Sequence, residues 1–287
     1  MKNSVLYVVS TPIGNLEDIT FRALDALRKV DLIACEDTRK SRILLERWEI
    51  STKLMSLHRF SESRKTQVIL ERLERGENVA IISDAGTPAI SDPGSRLVRA
   101  ALEAGFTVTP VPGASSITAA LSVSGMDCSS FVYLGFAPRT DGRRRAFFDK
   151  IRQEERTCLF FETAKRVQAT LEVAKEILGD RRLVLSRELT KLHEEIIPGT
   201  AASVLALFET RASVKGEIVV VVEGGSGSSP QIDVREAVRL LLAEGLSGKR
   251  LAEEAHKRYG LRKSDAYEAF LMIKDGNASP GRSTSPH

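Results

Sequence analysis

Two hydrophobic rhythms alternate along the chain. Val5–Val9, Leu32–Cys35, Lys53–Leu57, Val79–Ser83 and Phe106–Val111 are short β-branched or apolar runs that read as strands. Between them Phe21–Val30, Arg64–Arg75 and Ser95–Ala104 repeat apolar positions at helical spacing, with Gly76 and Gly105 where helix C-caps are expected. Strands alternating with helices predict a mainly parallel sheet covered on both faces. Pro110-Val111-Pro112-Gly113 interrupts the pattern, and a helix over Ser115–Val123 ends before Gly125. A second set of strands follows at Phe131–Leu134, Thr157–Phe161, Leu183–Ser186 and Glu217–Val222, with a helix over Lys165–Leu178. The expected organisation is therefore an α/β domain over 1–112, a second α/β domain over 113–224, and a hinge near Pro112-Gly113.

Gly224-Gly225-Ser226-Gly227-Ser228-Ser229-Pro230 has the composition of a flexible linker, placed at 225–232. Beyond it, helical patterns at Val234–Ala243, Lys249–Tyr259 and Asp265–Ile273 (Ser264 as N-cap) predict a three-helix, helix-turn-helix-like module over 233–274. The polar tail 275–287 is expected to be disordered.

Composition adds limits. The chain has 287 residues, 42% hydrophobic and 28% charged, enough for two modest domains with real cores. No run approaches membrane-spanning length, and Met1-Lys2-Asn3-Ser4 leads into a strand without the profile of a secretory leader, so a cytoplasmic protein is expected. Cys35, Cys128 and Cys158 are odd in number and far apart, which disfavours a disulfide framework or zinc site. His193-Glu194-Glu195 lacks the second histidine of a metalloprotease helix, so no metal is expected. The net charge is only +4, but it is clustered. Lys249, Arg250, Lys257, Arg258, Arg262 and Lys263 gather in the module, and Arg139, Arg143, Arg144 and Arg145 form a second group. Such groups suit a polyanion or simply a solvated face.

Candidate chemistry falls on the turns after the strands, where ligands bind in an open parallel sheet. These turns are Ser10-Thr11-Pro12-Ile13-Gly14-Asn15, Glu36-Asp37-Thr38-Arg39, His58-Arg59-Phe60, Asp84-Ala85-Gly86-Thr87-Pro88 with Ser91-Asp92-Pro93-Gly94 after it, and Pro112-Gly113-Ala114-Ser115-Ser116. Singly each is an ordinary reversal; together they share one predicted sheet edge. Gly14 and Gly86 would let a ligand approach the backbone, and Asp84 either counters a ligand's positive charge or caps a turn. GxGxxG and GxxxxGK[ST] are both absent, which removes the usual support for dinucleotide or nucleoside-triphosphate binding.

As an ordered set these segments resemble a known family. Thr11-Pro12-Ile13-Gly14-Asn15-Leu16-Glu17-Asp18-Ile19-Thr20, Cys35-Glu36-Asp37-Thr38-Arg39, Asp84-Ala85-Gly86-Thr87-Pro88 and Pro112-Gly113-Ala114-Ser115 match in order. Phe161-Glu162-Thr163-Ala164-Lys165-Arg166 and Arg187-Glu188-Leu189-Thr190-Lys191 continue the match. They resemble the bacterial small-subunit ribosomal RNA methyltransferases of the tetrapyrrole-methylase superfamily, over roughly Val5 to Glu223. The resemblance implies a two-domain tetrapyrrole-methylase-like (class III methyltransferase) α/β fold with S-adenosylmethionine in a cleft between domains. It also implies a homodimer that methylates the ribose 2′-oxygen of a cytidine in the decoding region of 16S ribosomal RNA, free or in the small subunit. The first loop departs from the GxGxG-type loop of the precorrin methylases, which lowers the tetrapyrrole and diphthamide readings.

By the same analogy, Pro12, Asp84, Thr87, Pro88, Ser115, Ser116, Glu162, Leu189 and Thr190 become cofactor-side residues, joined by Gly14 and Gly86. Removal of the hydroxyl proton has four candidates at predicted strand ends, Glu36, Asp37, His58 and Glu188; a loop carboxylate is more often a cap or ion-pair partner than a base, and His58 is alternatively structural or a phosphate contact. RNA contacts are expected from Arg39, Arg59, Lys165 and Arg166 beside the cleft motifs, and from Lys249, Arg250, Lys257 and Arg258 in the module. Phe60 either stacks a base or belongs to the core. Two alternatives stand beside this reading: a methylase of a tetrapyrrole or protein side chain, and a nucleic-acid-binding regulator that senses a ligand.

Overall fold

The structure, a computed structural model, describes residues 4–58, 62–211, 213–225, 233–259, 261 and 263–276, with backbone alone at 257, 275 and 276. These residues form two compact units, Met1–Gly224 and Gly225–His287.

The first unit holds two five-stranded sheets. In the first, β1 (Val5–Val9) leads through a short 3-10 turn at Leu16–Asp18 to α1 (Phe21–Lys29), capped by the Thr20 hydroxyl. Then come β2 (Leu32–Cys35), α2 (Thr38–Arg47), β3 (Leu54–Ser56), α3 (Glu62–Glu74), β4 (Val79–Ile82), α4 (Ser95–Glu103) and β5 (Thr107–Val111). The strands are parallel in the order β3-β2-β4-β1-β5. β2 and β4 are buried at every position, as strands covered on both faces must be. One face packs Leu24, Leu27, Ile33 and Ile82, and the other packs Leu6, Ile69, Leu97 and Phe106.

The second sheet begins beyond α5 (Ser116–Ser124) with β6 (Phe131–Phe136), α6 (Asp141–Gln153), β7 (Thr157–Thr163), α7 (Val167–Leu178), β8 (Arg182–Arg187), β9 (Glu195–Thr200), α8 (Ala201–Glu209) and β10 (Glu217–Val222). Its order is β6-β7-β10-β8-β9. Only β6 and β7 run parallel; β10 lies antiparallel between β7 and β8, and β9 is antiparallel to β8. One face is buried under α6, α7 and α8 around Phe148, Phe160 and Phe208. The other meets α5 and the first turn: Ile13, Ala120, Leu121, Leu159, Leu189 and Val219 form one apolar cluster. Both sheets thus belong to one compact unit, and the expected boundary at 112 marks the change of sheet.

The structure adds four elements to the sequence reading. α2 escapes periodicity because Ile43, Leu44 and Leu45 are consecutive and Ile43 stays exposed. α6 hides inside the arginine cluster, and the solvated-face reading of Arg143–Arg145 fails at its centre. Arg144 is buried and donates to the carbonyls of Pro138, Arg139 and Ala169, tying α6 to its neighbours. β9 carries Pro198, which an edge strand tolerates, and α8 opens on a capping box between Thr200 and Ser203.

The second unit contains α9 (Val234–Ala243), α10 (Gly248–Tyr259) and α11 (Lys263–Gly276) around Val238, Leu241, Leu251, Ala255, Ala266 and Phe270. Residues 226–232 of the expected linker at 225–232 and Arg262 lie outside the described residues, as does the expected disordered tail at 275–287 from 277 onward. The first two residues of that tail, Asp275 and Gly276, close α11 instead.

Candidate active site

Parallel strands deliver their following turns to one edge. There the turn after β1 is stitched to the turn after β4: Thr11 N donates to Gly86 O (2.9 Å) and Gly86 N to Thr11 O (3.1 Å). The Thr11 hydroxyl reaches Ser83 O at 3.1 Å, and the hydroxyls of Ser10 and Thr87 lie 3.0 Å apart. Asn15 N donates to the Thr190 hydroxyl (3.0 Å), bringing the segment after β8 against the first turn. Gly14 makes this approach possible, because a Cβ there would lie 2.8 Å from Thr190 Oγ1 and 2.5 Å from Lys191 Cγ.

These segments and the facing edge of the second sheet enclose a cavity of about 310 Å³, within the range of small-ligand sites. The first sheet contributes Ile13, Asp84, Gly86, Thr87, Ser115 and Ser116; the second contributes Phe161, Glu162, Leu189 and the start of β10. Backbone strain collects around it. Ala89 (φ 67°) and Ser91 (φ 63°) on the turn after β4, and Glu188 (φ 51°) and Thr190 (φ 65°) after β8, are non-glycine residues in the left-handed region. Such conformations persist only where the surroundings over-determine them.

The lining carboxylates are heavily engaged. The Glu162 side chain is fully buried, and accepts bonds from Thr163 N (2.6 Å), the Thr170 hydroxyl (2.6 Å) and Arg166 Nη2 (2.5 Å). Asp84 accepts from Asp37 N (3.0 Å) and Lys40 Nζ (2.8 Å), and this pairing raises the Lys40 pKa. Asp84 therefore already holds a cation of the chain. Glu217 accepts from Lys191 Nζ at 3.0 Å.

The expected cofactor residues Asp84, Gly86, Thr87, Ser115, Ser116, Glu162 and Leu189 all line this cavity. Pro12, Gly14, Pro88 and Thr190 stand behind it on the same turns, outside the lining. The lining also includes Ile90, Ser91, Asp92, Phe136, Thr163 and Gly216–Val219. Phe161 and Thr163 lay inside a segment already singled out, whereas nothing local in sequence marks Phe136 or the start of β10.

The proton-acceptor candidates lie elsewhere. Strand order places β2 and β3 on the far side of β4 from β1 and β5, so Glu36, Asp37 and His58 stay off the lining. Asp37 caps α2 through Arg39 N (2.9 Å), and its bond to the Arg39 guanidinium holds the carboxyl far below the usual range. Glu188 accepts from Lys191 Nζ (2.8 Å), which lowers its pKa, and from Glu217 N (3.0 Å). Arg39 is thus tied to Asp37 while keeping an exposed side chain, and Lys165 is exposed. Arg166 serves the buried Glu162 and the Ala137 carbonyl. Arg59 and Phe60 lie outside the described residues. In the second unit Lys249 and Arg250 are exposed, and Arg258 bridges Glu244 and Glu254 at 2.7 Å each. The side chain of Lys257 is not among those described. No cluster of potential metal ligands occurs among the described residues, and no described helix is long and apolar enough to cross a membrane.

A strand-edge cavity closed by a second, mixed sheet is the architecture of a known class. The family model of the tetrapyrrole (corrin/porphyrin) methylases matches residues 5–205. The fold is similar to that of a cobalt-precorrin-4 methyltransferase (TM-score 0.57, 16% identity, 76% of this chain and 94% of that one). It is similar also to a diphthine synthase (TM-score 0.58, 15% identity, 76% and 89%).

Much nearer in sequence are proteins named ribosomal RNA small subunit methyltransferase I. That of Haemophilus influenzae is 42% identical over 272 residues, 93% of this chain and 96% of its own. That of Bacillus subtilis is 36% identical over 274 residues, 93% and 94%. That of Thermotoga maritima is 45% identical over 219 residues, 76% of this chain but 98% of its own. The chain belongs to the ribosomal RNA small subunit methyltransferase I family of tetrapyrrole-type methylases.

Proposed function

We propose that the chain transfers a methyl group from S-adenosylmethionine to the ribose 2′-oxygen of a cytidine in the decoding region of 16S ribosomal RNA, acting in the cytoplasm as a homodimer. The observation that carries this reading is the strand-edge cavity, found in a chain that matches relatives of that name along nearly their whole length.

The residues suit the cofactor. Buried apolar walls at Ile13, Leu189 and Val219 fit an adenine ring, and the Ser115 and Ser116 hydroxyls offer polar contacts. Ser115 makes no capping bond of its own, so α5 opens on the cavity with unsatisfied N–H groups suited to a carboxylate. When bound, S-adenosylmethionine supplies an electrophilic methyl group on a cationic sulfonium. The protein's contribution is positioning and exclusion of water: the stitched turns fix one wall, and the Glu162 network fixes the other. Glu36, Asp37, His58 and Glu188 stand off the lining, and Asp84, Glu162 and Glu217 within it already pair with Lys40, Arg166 and Lys191, so positioning carries the transfer.

The three-helix module would grip RNA through Lys249 and Arg250. The Thermotoga maritima relative supports an accessory role, because its matched 219 residues approach the length of the Met1–Gly224 unit alone. The test is transfer of a labelled methyl group to undermethylated small subunits followed by nucleoside analysis. Label in 2′-O-methylcytidine is expected; label on the base, or none, refutes the reading. A chain ending at Gly225 should keep cofactor binding and lose RNA affinity.

A further inference from the structure

The edge strand β6 contains an irregularity with a definite geometric effect. Its pairing with β7 runs Phe131↔Thr157, Val132↔Cys158, Tyr133↔Leu159, and resumes at Phe136↔Phe161. Three steps on β6 oppose two on β7, a bulge that carries Gly135 at φ 67°. In a regular strand Phe136 would share the face of Val132 and Leu134, which pack into the Phe148–Phe160 core. The bulge turns it to the opposite face, where Tyr133 and Phe161 lie and where it lines the cavity.

The ring gains no compensating burial there, since Phe136 is 53% exposed. It is nonetheless held in place. Its centroid lies 5.4 Å from that of Phe161 in an edge-to-face contact, and Tyr133 braces Phe161 at 5.1 Å. Ile90, on the strained turn that reaches β6 through the Ser91 and Tyr133 hydroxyls, is 42% exposed, whereas Ile13, Leu189, Ile218 and Val219 are buried. Two apolar lining residues thus remain open to solvent while the others are buried. A fixed aromatic face that lines a site and stays half exposed among the described residues is suited to a flat apolar ring arriving from solvent.

We propose that Phe136 is a substrate-binding residue that stacks an unpaired nucleobase of the RNA where it lines the cavity. This rests on the methyl-transfer reading above and deepens it. A 2′-hydroxyl inside a duplex is hard to bring to an enclosed site, so the target nucleotide must be splayed from its neighbours, and an aromatic platform offsets the lost stacking. Stacking ignores phosphate charge, so this contribution is independent of salt.

The test uses the full chain with Phe136→Ser and Phe136→Tyr, undermethylated small subunits and S-adenosylmethionine. The ring is half exposed, so both variants should fold and melt like the parent. Phe136→Ser should bind S-adenosylmethionine with unchanged affinity by calorimetry, while kcat/KM for small subunits falls roughly 5- to 150-fold, the loss of one base–aromatic stack. Phe136→Tyr should restore it, and the fall should persist at raised salt. The proposal is overturned if Phe136→Ser weakens cofactor binding by a similar factor, which would make the ring part of the cofactor wall, or if kcat/KM is unchanged. If the parent chain transfers no methyl group to small subunits, the underlying reading fails instead, before any variant is compared.

Discussion

Arg166 separates two accounts of the site, because the sequence suggests a phosphate contact and the structure gives it a buried partner. Its guanidinium meets Glu162 at 2.5 Å, and donates also to Ala137 O (3.1 Å) and the Thr163 hydroxyl (3.2 Å). Arg166→Met keeps most of the stem and removes the charge. Breaking a buried pair from one side costs about 3–5 kcal/mol, since the surviving charge is left in a poor solvent. Glu162 would keep its bonds from Thr163 N and Thr170, and the Arg166 side chain is 22% exposed, so water can reach the gap. Those two features place the expected loss at the lower end, about 3 kcal/mol. For a unit of this size that is a fall in Tm of about 6–12 °C, measurable by calorimetry. Glu162→Gln in the same background should be less than additive, because the charge needing compensation is gone. The reasoning is refuted if Arg166→Met melts with the parent while RNA affinity drops and its salt slope falls by about one, as for a lost phosphate contact.

Three further outcomes follow from the same geometry. Arg211 and Arg187 hold the Glu195 carboxyl down at about 2, below the usual value of about 4.3. The folded pKa is depressed, so this contribution is present above the unfolded value and vanishes as pH falls through the folded one; Glu195→Gln should lose about 1 kcal/mol or less at pH 7. Urea midpoints measured across that range should converge in acid, and a gap that persists undiminished to about pH 2 would contradict the assignment. Burial pushes the Cys158 thiol up to about 11 and raises Cys35 as well, so iodoacetamide at pH 8 should label both slowly in the folded chain and rapidly in urea. Gly14→Ala places a Cβ 2.8 Å from Thr190 Oγ1 and 3.1 Å from Leu189 O, which should part the two segments and weaken S-adenosylmethionine binding. Calorimetry showing unchanged affinity would mean that the 188–191 segment does not shape the site.

The first sheet was legible because its buried strands are written as uninterrupted apolar runs such as Leu32–Cys35 and Val79–Ile82. The turns that build the cavity were legible for a related reason: glycine, proline and hydroxyl residues gather where the backbone must reverse tightly. Pairing was not. Nothing local says that β10, the last strand of its unit in sequence, inserts between β7 and β8. The contribution of Gly216–Val219 to the cavity was therefore invisible, although Glu217–Val222 was recognised as a strand. Partners were equally hidden. Arg144 and Arg145 are neighbours of identical type, yet one is buried against three carbonyls and the other exchanges exposed pairs with Asp141 and Glu176.

Strand order also explains why Glu36, Asp37 and His58 stand off the cavity lining. A sequence reading treats all five turns after parallel strands as equivalent, since each ends at the same edge. The order β3-β2-β4-β1-β5 breaks that equivalence. β1, β4 and β5 are contiguous, and their turns meet the second sheet; β2 and β3 continue away from it. Of the carboxylates after β2, Asp37 is spent on structure, capping α2 and donating its own N–H to Asp84. That arrangement still bears on the site, because Asp37 N and Lys40 Nζ fix both oxygens of a carboxylate that lines the cavity. Residues outside the lining thus determine what a lining residue can do. Asp84 meets any ligand as a carboxylate already paired with a cation, and electrostatic attraction for a sulfonium is weaker from such a pair than from an isolated charge. Shape, supplied by the stitched turns and the strained segments around Ser91 and Thr190, therefore carries more of the cofactor selection than charge does.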